Sequence, residues 1–217
     1  MDFRKDTRAV VFDMDGVLVD SEPLHEQAFL EIFAQMGLGE GRHGIEFEQY
    51  YGKSDRALWV DFVARHRPSQ SLEDLLAWKQ DHFLNILRAR QPIFEPIPDL
   101  VADLARRYPL AVASGSNHPV IDEVLAMRGL RPYFGAVVSV QDVGRPKPFP
   151  DVFVKAAENL GVPASGCVVI EDSAAGVQAA REAGMRVIAI TNSLSRERLM
   201  HAHAVTSTYD EIRRLLL

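Results

Sequence analysis

An α/β fold, with a doubly wound parallel sheet and a helical insertion, is predicted by three observations. Five short apolar runs rich in β-branched residues (Ala9 to Phe12, Leu110 to Ala113, Ala136 to Val140, Cys167 to Ile170 and Val187 to Ile190) read as strands buried on both faces. From Leu100 onward these runs alternate with amphipathic helical stretches, the pattern of a parallel sheet covered on both sides. Between about Ser21 and Ile93 the pattern changes to helical periodicity with little strand signal.

The elements follow in order. Ala9-Val10-Val11-Phe12 is the first strand, and it ends at Asp13-Met14-Asp15-Gly16. In the insertion, Leu24-Ala28-Phe29-Ile32-Phe33, Leu58-Trp59-Phe62-Val63 and Leu75-Leu76-Trp78-Phe83-Leu84-Leu87 each space their apolar residues along one helix face. Trp59 and Trp78 read as core of this part, and Gly37 to Gly44 as a flexible loop. Gln91-Pro92 and Glu95-Pro96-Ile97-Pro98 punctuate the return to the α/β part. The expected division is therefore 1–19 with 94–217 as the core and 20–93 as the insertion, with hinges near Val19-Asp20 and Phe94-Glu95. Beyond, Leu100-Val101-Leu104-Ala105 and Val120-Ile121-Val124-Leu125 flank the second strand, Val152 to Leu160 precedes the fourth and Ala175 to Ala180 follows it. A short strand at Ala204-Val205-Thr206 and a helix from Tyr209 close the chain.

Composition bounds the function. A chain of 217 residues, 47% hydrophobic, can bury one large core or two unequal ones. A formal net charge of -6 argues against nucleic acid as a partner, and no stretch approaches a membrane span, so neither nucleic acid nor membrane is expected. The single cysteine, Cys167, opens an apolar run and reads as a buried thiol rather than a nucleophile. Without an apolar signal core near the start, a cytoplasmic protein is expected, a monomer or at most a weak dimer.

Chemistry concentrates just past the ends of four apolar runs. Asp13 and Asp15 follow the first, Ser114-Gly115-Ser116-Asn117 the second, Lys147 the third after a short loop, and Glu171-Asp172-Ser173 the fourth. In a parallel sheet these ends share one edge, where ligands of open α/β sheets bind. Two adjacent carboxylates repel unless a cation lies between them or one keeps its proton. Taken alone, Asp13-Met14-Asp15-Gly16 is either such a metal corner or a solvated acidic turn.

The four segments together resemble the motifs of the haloacid-dehalogenase-like hydrolases. Asp13 to His25 (Asp-Met-Asp-Gly-Val-Leu-Val-Asp-Ser-Glu-Pro-Leu-His) resembles their first motif and Ala113-Ser114-Gly115-Ser116-Asn117 their second. Lys147-Pro148-Phe149-Pro150-Asp151 resembles the third, and Glu171-Asp172-Ser173-Ala174-Ala175-Gly176 with Ala179 to Met185 the fourth. The branch it is most similar to is that of the sugar-phosphate phosphatases and β-phosphoglucomutases. The resemblance implies a Rossmann-like core, an α-helical cap inserted after the first strand, and Mg²⁺-dependent transfer of a phosphoryl group from a small-molecule phosphate ester. It further implies that Asp13 is the nucleophile and Asp15 the acid and base. Asp13, Asp172 and the backbone carbonyl of Asp15 would hold Mg²⁺, with Glu171 either a ligand or a partner of the ligands. Ser114 and Lys147 would contact the phosphoryl oxygens, and Gly115, Ser116 and Asn117 would line the anion. Such a site has only oxygen donors, which suits Mg²⁺. The residue before the lysine, usually glycine, is Pro146 here, and Arg145 stands two positions earlier, where it could share the cationic role or be a solvated loop residue.

The cap should choose the substrate. Its candidates are His25, Gly52, Lys53, Ser54, Arg56 and Lys79. In the mutases the corresponding loop resembles Gly-x-Ser-Arg, the arginine holding a second phosphate; here the order is Gly52-Lys53-Ser54-Asp55-Arg56, with Asp55 in the arginine's place. A phosphatase is therefore the leading expectation, a phosphosugar mutase the second and a catalytically silent binding module the third.

Overall fold

In a computed structural model of the protein, residues 2–39, 41–50 and 55–217 are described. The chain forms two compact units, Met1–Asp20 with Pro92–Leu217, and Ser21–Gln91.

The first unit is a six-stranded parallel sheet of order β3-β2-β1-β4-β5-β6. Its strands are β1 (Ala9–Phe12), β2 (Leu110–Ser114), β3 (Phe134–Ser139), β4 (Cys167–Glu171), β5 (Arg186–Ile190) and β6 (Ala204–Thr206). Every residue of β1, β2 and β4 is buried, as central strands of a sheet covered on both faces must be. The helices of this unit are α4 (Ile97–Ala105), α5 (His118–Ala126), α6 (Asp151–Leu160), α7 (Ala174–Glu182) and α8 (Tyr209–Leu216), numbered after the three of the second unit. On one face Ala9 and Val11 of β1 join Phe153 and Ala156 of α6 and Val177 and Ala180 of α7 in one apolar cluster. On the other, Phe12 meets Phe134 edge to face at 5.8 Å.

β3 begins at Phe134, two residues before the apolar run suggested, because Gly135 and Val137 are the more exposed positions of an alternating strand. It stops at Ser139, whose hydroxyl accepts from the Gln141 amide and turns the chain into a 3₁₀ turn containing Val140. α6 ends at Gly161, which supplies the left-handed conformation of a helix C-cap, φ 67°.

The strand order reverses between β1 and β4, and there the crevice of a doubly wound sheet opens. Register pairs Phe12 with Ile170, so Asp13 leaves β1 beside Glu171 of β4. The chain's two crossings of the unit boundary run paired within this unit: Asp20 N donates to Pro92 O at 2.9 Å and Phe94 N to Leu18 O at 3.2 Å.

The second unit contains α1 (Glu22–Gln35), α2 (Asp55–His66) and α3 (Leu72–Arg90). Phe29, Ile32 and Phe33 of α1, Leu58, Trp59 and Phe62 of α2, and Leu75 of α3 form its core, with Trp78 partly buried against it. α3 starts on a capping box between Ser71 and Asp74 and ends at Gln91, left-handed at φ 46°, just before Pro92. No helix among the described residues is long and apolar enough to cross a membrane.

Candidate active site

Asp13, Glu171 and Asp172 meet at the ends of β1 and β4, all three buried, each offering a carboxylate oxygen within 4.8 Å of the others. Local backbone chemistry places them. The Asp13 amide donates to Ile170 O at 2.9 Å, locking it to the neighbouring strand. The chain then folds over itself through Gly16, at φ 76°, with Gly16 N on Val19 O at 2.8 Å and Leu18 N on Met14 O at 2.8 Å. Any Cβ at Gly16 would stand 1.8 Å from Asp172 Oδ2, and one at Gly176 would stand 1.6 Å from Glu171 Oε1. Both glycines are thus required by the close approach of a carboxylate. Glu171 Oε2 accepts from the amides of Asp172 (2.7 Å) and Ser173 (2.6 Å) and from the Ser173 hydroxyl (2.9 Å).

Lys147 reaches into this acidic group. Its ammonium donates to Asp13 Oδ1 at 2.6 Å and to Glu171 Oε1 at 2.7 Å. Burial alone would make Lys147 easier to deprotonate, but the carboxylates of Asp13 and Glu171 outweigh it and hold its pKa above the ordinary lysine value. Burial also pushes Asp13 up to about 7, helped by Glu171 and Asp15 and opposed by Lys147. Asp172 rises to about 9, through burial and then the charges of Glu171 and Asp13. Arg145 takes no part: it forms a two-pronged ion pair with Asp151 at 2.7 and 3.1 Å and stacks over Phe149.

The loop after β2 brings the hydroxyls. Ser116 Oγ donates to Asp15 Oδ2 at 2.8 Å, and Ser114 Oγ lies 3.4 Å from the same oxygen. Ser114 Oγ accepts from the Ser116 amide at 2.9 Å, which tightens the turn through Gly115. Ser139 Oγ, from the next strand, donates to Ser116 O at 2.8 Å. Asn117 is the N-cap residue of α5.

The donor set fits a hard divalent cation. All its atoms are oxygens, and burial with mutual repulsion pushes the Asp13 and Asp172 carboxyls up, a penalty on their charged forms that a divalent ion between them would offset. Asp13 and Asp172 are the ligand candidates. Glu171, already engaged by Lys147 and three donors from the Asp172–Ser173 turn, holds the frame around them.

In the second unit, Lys79 is buried rather than solvated, 1% exposed. Its ammonium pairs with Asp55 Oδ2 at 2.7 Å, contacts His25 Nδ1, and lies over the rings of Phe83 (4.6 Å) and Phe29 (5.1 Å). A lysine has only donors to give, so in this contact Nδ1 of His25 is the accepting side. His25 stacks on Phe83, with ring centroids 3.9 Å apart. Arg56 is elsewhere, exposed and bonded through one guanidinium nitrogen to both oxygens of Glu73 at 2.8 and 3.1 Å. Gly52, Lys53 and Ser54 lie outside the described residues. Cys167 is buried, its thiol pushed up to about 11 by burial, as befits an inert core residue.

Three site neighbours were not anticipated. Ser193 Oγ donates to Asp172 Oδ2, Asn192 Nδ2 donates to Gly16 O at 2.7 Å, and Tyr209 OH donates to Val17 O at 2.9 Å. The signal was present, because Thr191-Asn192-Ser193 follows an apolar run just as the other site segments do.

The comparisons with known proteins agree with this geometry. The chain is 34% identical to the fructose-1-phosphate phosphatase YqaB of Escherichia coli strain K12 over 181 residues, 82% of this chain and 94% of the relative. The crystal structure of CbbY from Rhodobacter sphaeroides in complex with phosphate superposes with a TM-score of 0.81 at 26% identity, covering 95% of this chain and 96% of the other. A candidate β-phosphoglucomutase from Thermotoga maritima does so with a TM-score of 0.80 at 26% identity, covering 97% and 98%. The family model of haloacid dehalogenase-like hydrolases matches residues 7–184, which take in all four carboxylates and Lys147. The chain belongs to the haloacid dehalogenase-like hydrolases.

Proposed function

We propose that the protein is a Mg²⁺-dependent phosphatase of a small phosphorylated metabolite, a sugar phosphate, working through an aspartyl-phosphate as a cytoplasmic monomer. One observation carries this reading: the Lys147 ammonium joins Asp13 to Glu171 at the strand-order reversal, with Asp172 within reach of the same point. The phosphatase named among the relatives supports it.

The chemistry follows from the residues. Asp13 attacks phosphorus with one carboxylate oxygen; the bond from phosphorus to the ester oxygen breaks, and Asp15 delivers a proton to that leaving oxygen. Water then attacks the phospho-aspartate, Asp15 takes the water's proton, and inorganic phosphate leaves as the Asp13 carboxylate is regenerated. Lys147 and the Ser114 hydroxyl bind phosphoryl oxygens, and the amides opening α5 add their partial positive charge. Mg²⁺, held by Asp13, Asp172 and the Asp15 carbonyl, would supply the charge that lets a carboxylate approach a dianion. Substrate selection is assigned to His25 and Lys79 of the second unit together with Gly52, Lys53 and Ser54, while Arg56, held by Glu73, is outside that set.

The mutase is the second reading, with the candidate β-phosphoglucomutase as its support. It is disfavoured because Asp55, in the place of the mutase arginine, is committed to Lys79, and Arg56 to Glu73. The test is a panel of sugar phosphates with Mg²⁺, scored for free phosphate and for isomer. Phosphate release that Asp13→Asn abolishes is expected; retained release in that variant overturns the reading. Glucose 6-phosphate formed from glucose 1-phosphate and a trace of bisphosphate, without free phosphate, would decide for the mutase.

A further inference from the structure

Asp172 is gripped from two sides. On one, the Gly16 backbone lies so close that no side chain fits between it and Oδ2. On the other, the Ser193 hydroxyl donates to the same oxygen. A carboxylate packed on one side and hydrogen-bonded on the other has its rotation about Cβ–Cγ fixed before any ligand arrives.

The stretch that carries Ser193 is itself anchored. Thr191 N donates to Thr206 O of β6 at 3.0 Å. Asn192 Nδ2 donates to Gly16 O at 2.7 Å and to Tyr209 OH at 2.8 Å, and Tyr209 OH passes the contact on to Val17 O. A serine that served only its own loop would bond backbone groups nearby. Ser193 instead reaches 21 residues back to a side chain of the acidic group. Ser193, Asn192 and Tyr209 all lie beyond residue 184, where the family match ends.

We propose that Ser193 is a positioning residue that presets the Asp172 carboxylate for a divalent cation, with Asn192 and Tyr209 holding the Gly16–Val17 turn against it. The proposal rests on the Mg²⁺ reading above. Partners that orient metal-ligating carboxylates change metal affinity about 10- to 100-fold when removed.

Calorimetric titration of the full chain with Mg²⁺ tests this, on the unaltered protein, Ser193→Ala and Ser193→Thr, with melting curves in EDTA alongside. Ser193→Ala is expected to bind Mg²⁺ about 10- to 100-fold more weakly while melting in EDTA like the unaltered protein, and Ser193→Thr, which keeps the hydroxyl, to recover most of the affinity. Unchanged affinity in Ser193→Ala overturns the proposal and leaves the Mg²⁺ reading standing. An equal loss in both Ser193 variants, accompanied by a lower melting point in EDTA, also overturns it, since a packing role would do that. Unaltered protein that takes up no Mg²⁺ overturns the Mg²⁺ reading and this proposal with it.

Discussion

The Lys147 ammonium lies 2.6 Å from Asp13 Oδ1, at the end of a loop 134 residues further along the chain. Neither group is solvated, since both side chains are about nine-tenths buried. Each therefore depends on the other: the lysine keeps its proton because of the carboxylates, and the carboxylates tolerate one another because of the lysine.

Lys147→Ala should remove both benefits. Turnover of a sugar phosphate is expected to fall by about 10²–10³, the usual cost of losing one preorganised charge from a reacting anion. Stability in EDTA should fall by about 3–5 kcal/mol, because Asp13 and Glu171 are left buried without a cation. Phosphate release and denaturant titration check the two effects. Activity within a factor of two or so of the unaltered protein, against that ~10²-fold expectation, would show that the ammonium has no part in the chemistry.

Gly176→Ala should be destabilising although alanine favours helices and Gly176 lies in α7. Its Cβ would overlap the Glu171 carboxylate, which must then give up bonds to Lys147, Asp172 N and Ser173. Overpacking of this kind costs about 1–3 kcal/mol, against a helix-propensity gain of about 1 kcal/mol. A lower melting point together with reduced turnover is expected; a raised melting point would contradict the packing.

Asp55→Ala and Lys79→Met should differ in size. The first leaves an ammonium buried among Phe29, Phe83 and His25 with its carboxylate gone, a loss near the low end of about 3–5 kcal/mol since Asp55 is partly exposed. The second places an apolar chain of similar length against the same rings and should cost under about 1.5 kcal/mol. Hydrogen exchange in α1 and α3 reads both; equal losses would mean the ion pair does not govern this unit's stability.

The second unit should also weaken in mild acid. His43 is buried, stacks on Phe33 and accepts the Ile45 amide on Nδ1. Burial, then the neighbouring His66, holds its pKa below the ordinary histidine value. The unfolded chain therefore takes up the proton first, so stability is full above about pH 6.5 and declines as pH falls below that. Melting curves between neutral and acid pH should show this decline, and His43→Asn should flatten it. An unchanged pH slope in the variant assigns the effect to another group.

Much of this was legible in the residues. The run Ala9 to Phe12 announces a strand covered on both faces, and the carboxylates behind it announce a site, because strand burial and the crevice at strand ends are local and topological rules. Lys79 was not legible. It stands between Trp78 and Gln80, which do not tell whether it is buried, and only the folding of α2 against α3 puts Asp55 beside it. Arg145 and Lys147 stand two residues apart in one proline-rich loop, and nothing local says which enters the acidic group; the answer came from Asp151, which holds the arginine outside.

The sequence by itself determined the α/β class, the helical insertion and the identity of the four carboxylates, since periodicity and strand ends are written in residue order. Tertiary structure alone decided the pairings: Lys147 with Asp13 and Glu171, Lys79 with Asp55, Ser193 with Asp172. The physical reason is that a buried charge must find its partner in space, and residues from β1, β4 and the segment after β5 come together only when the strands are laid side by side.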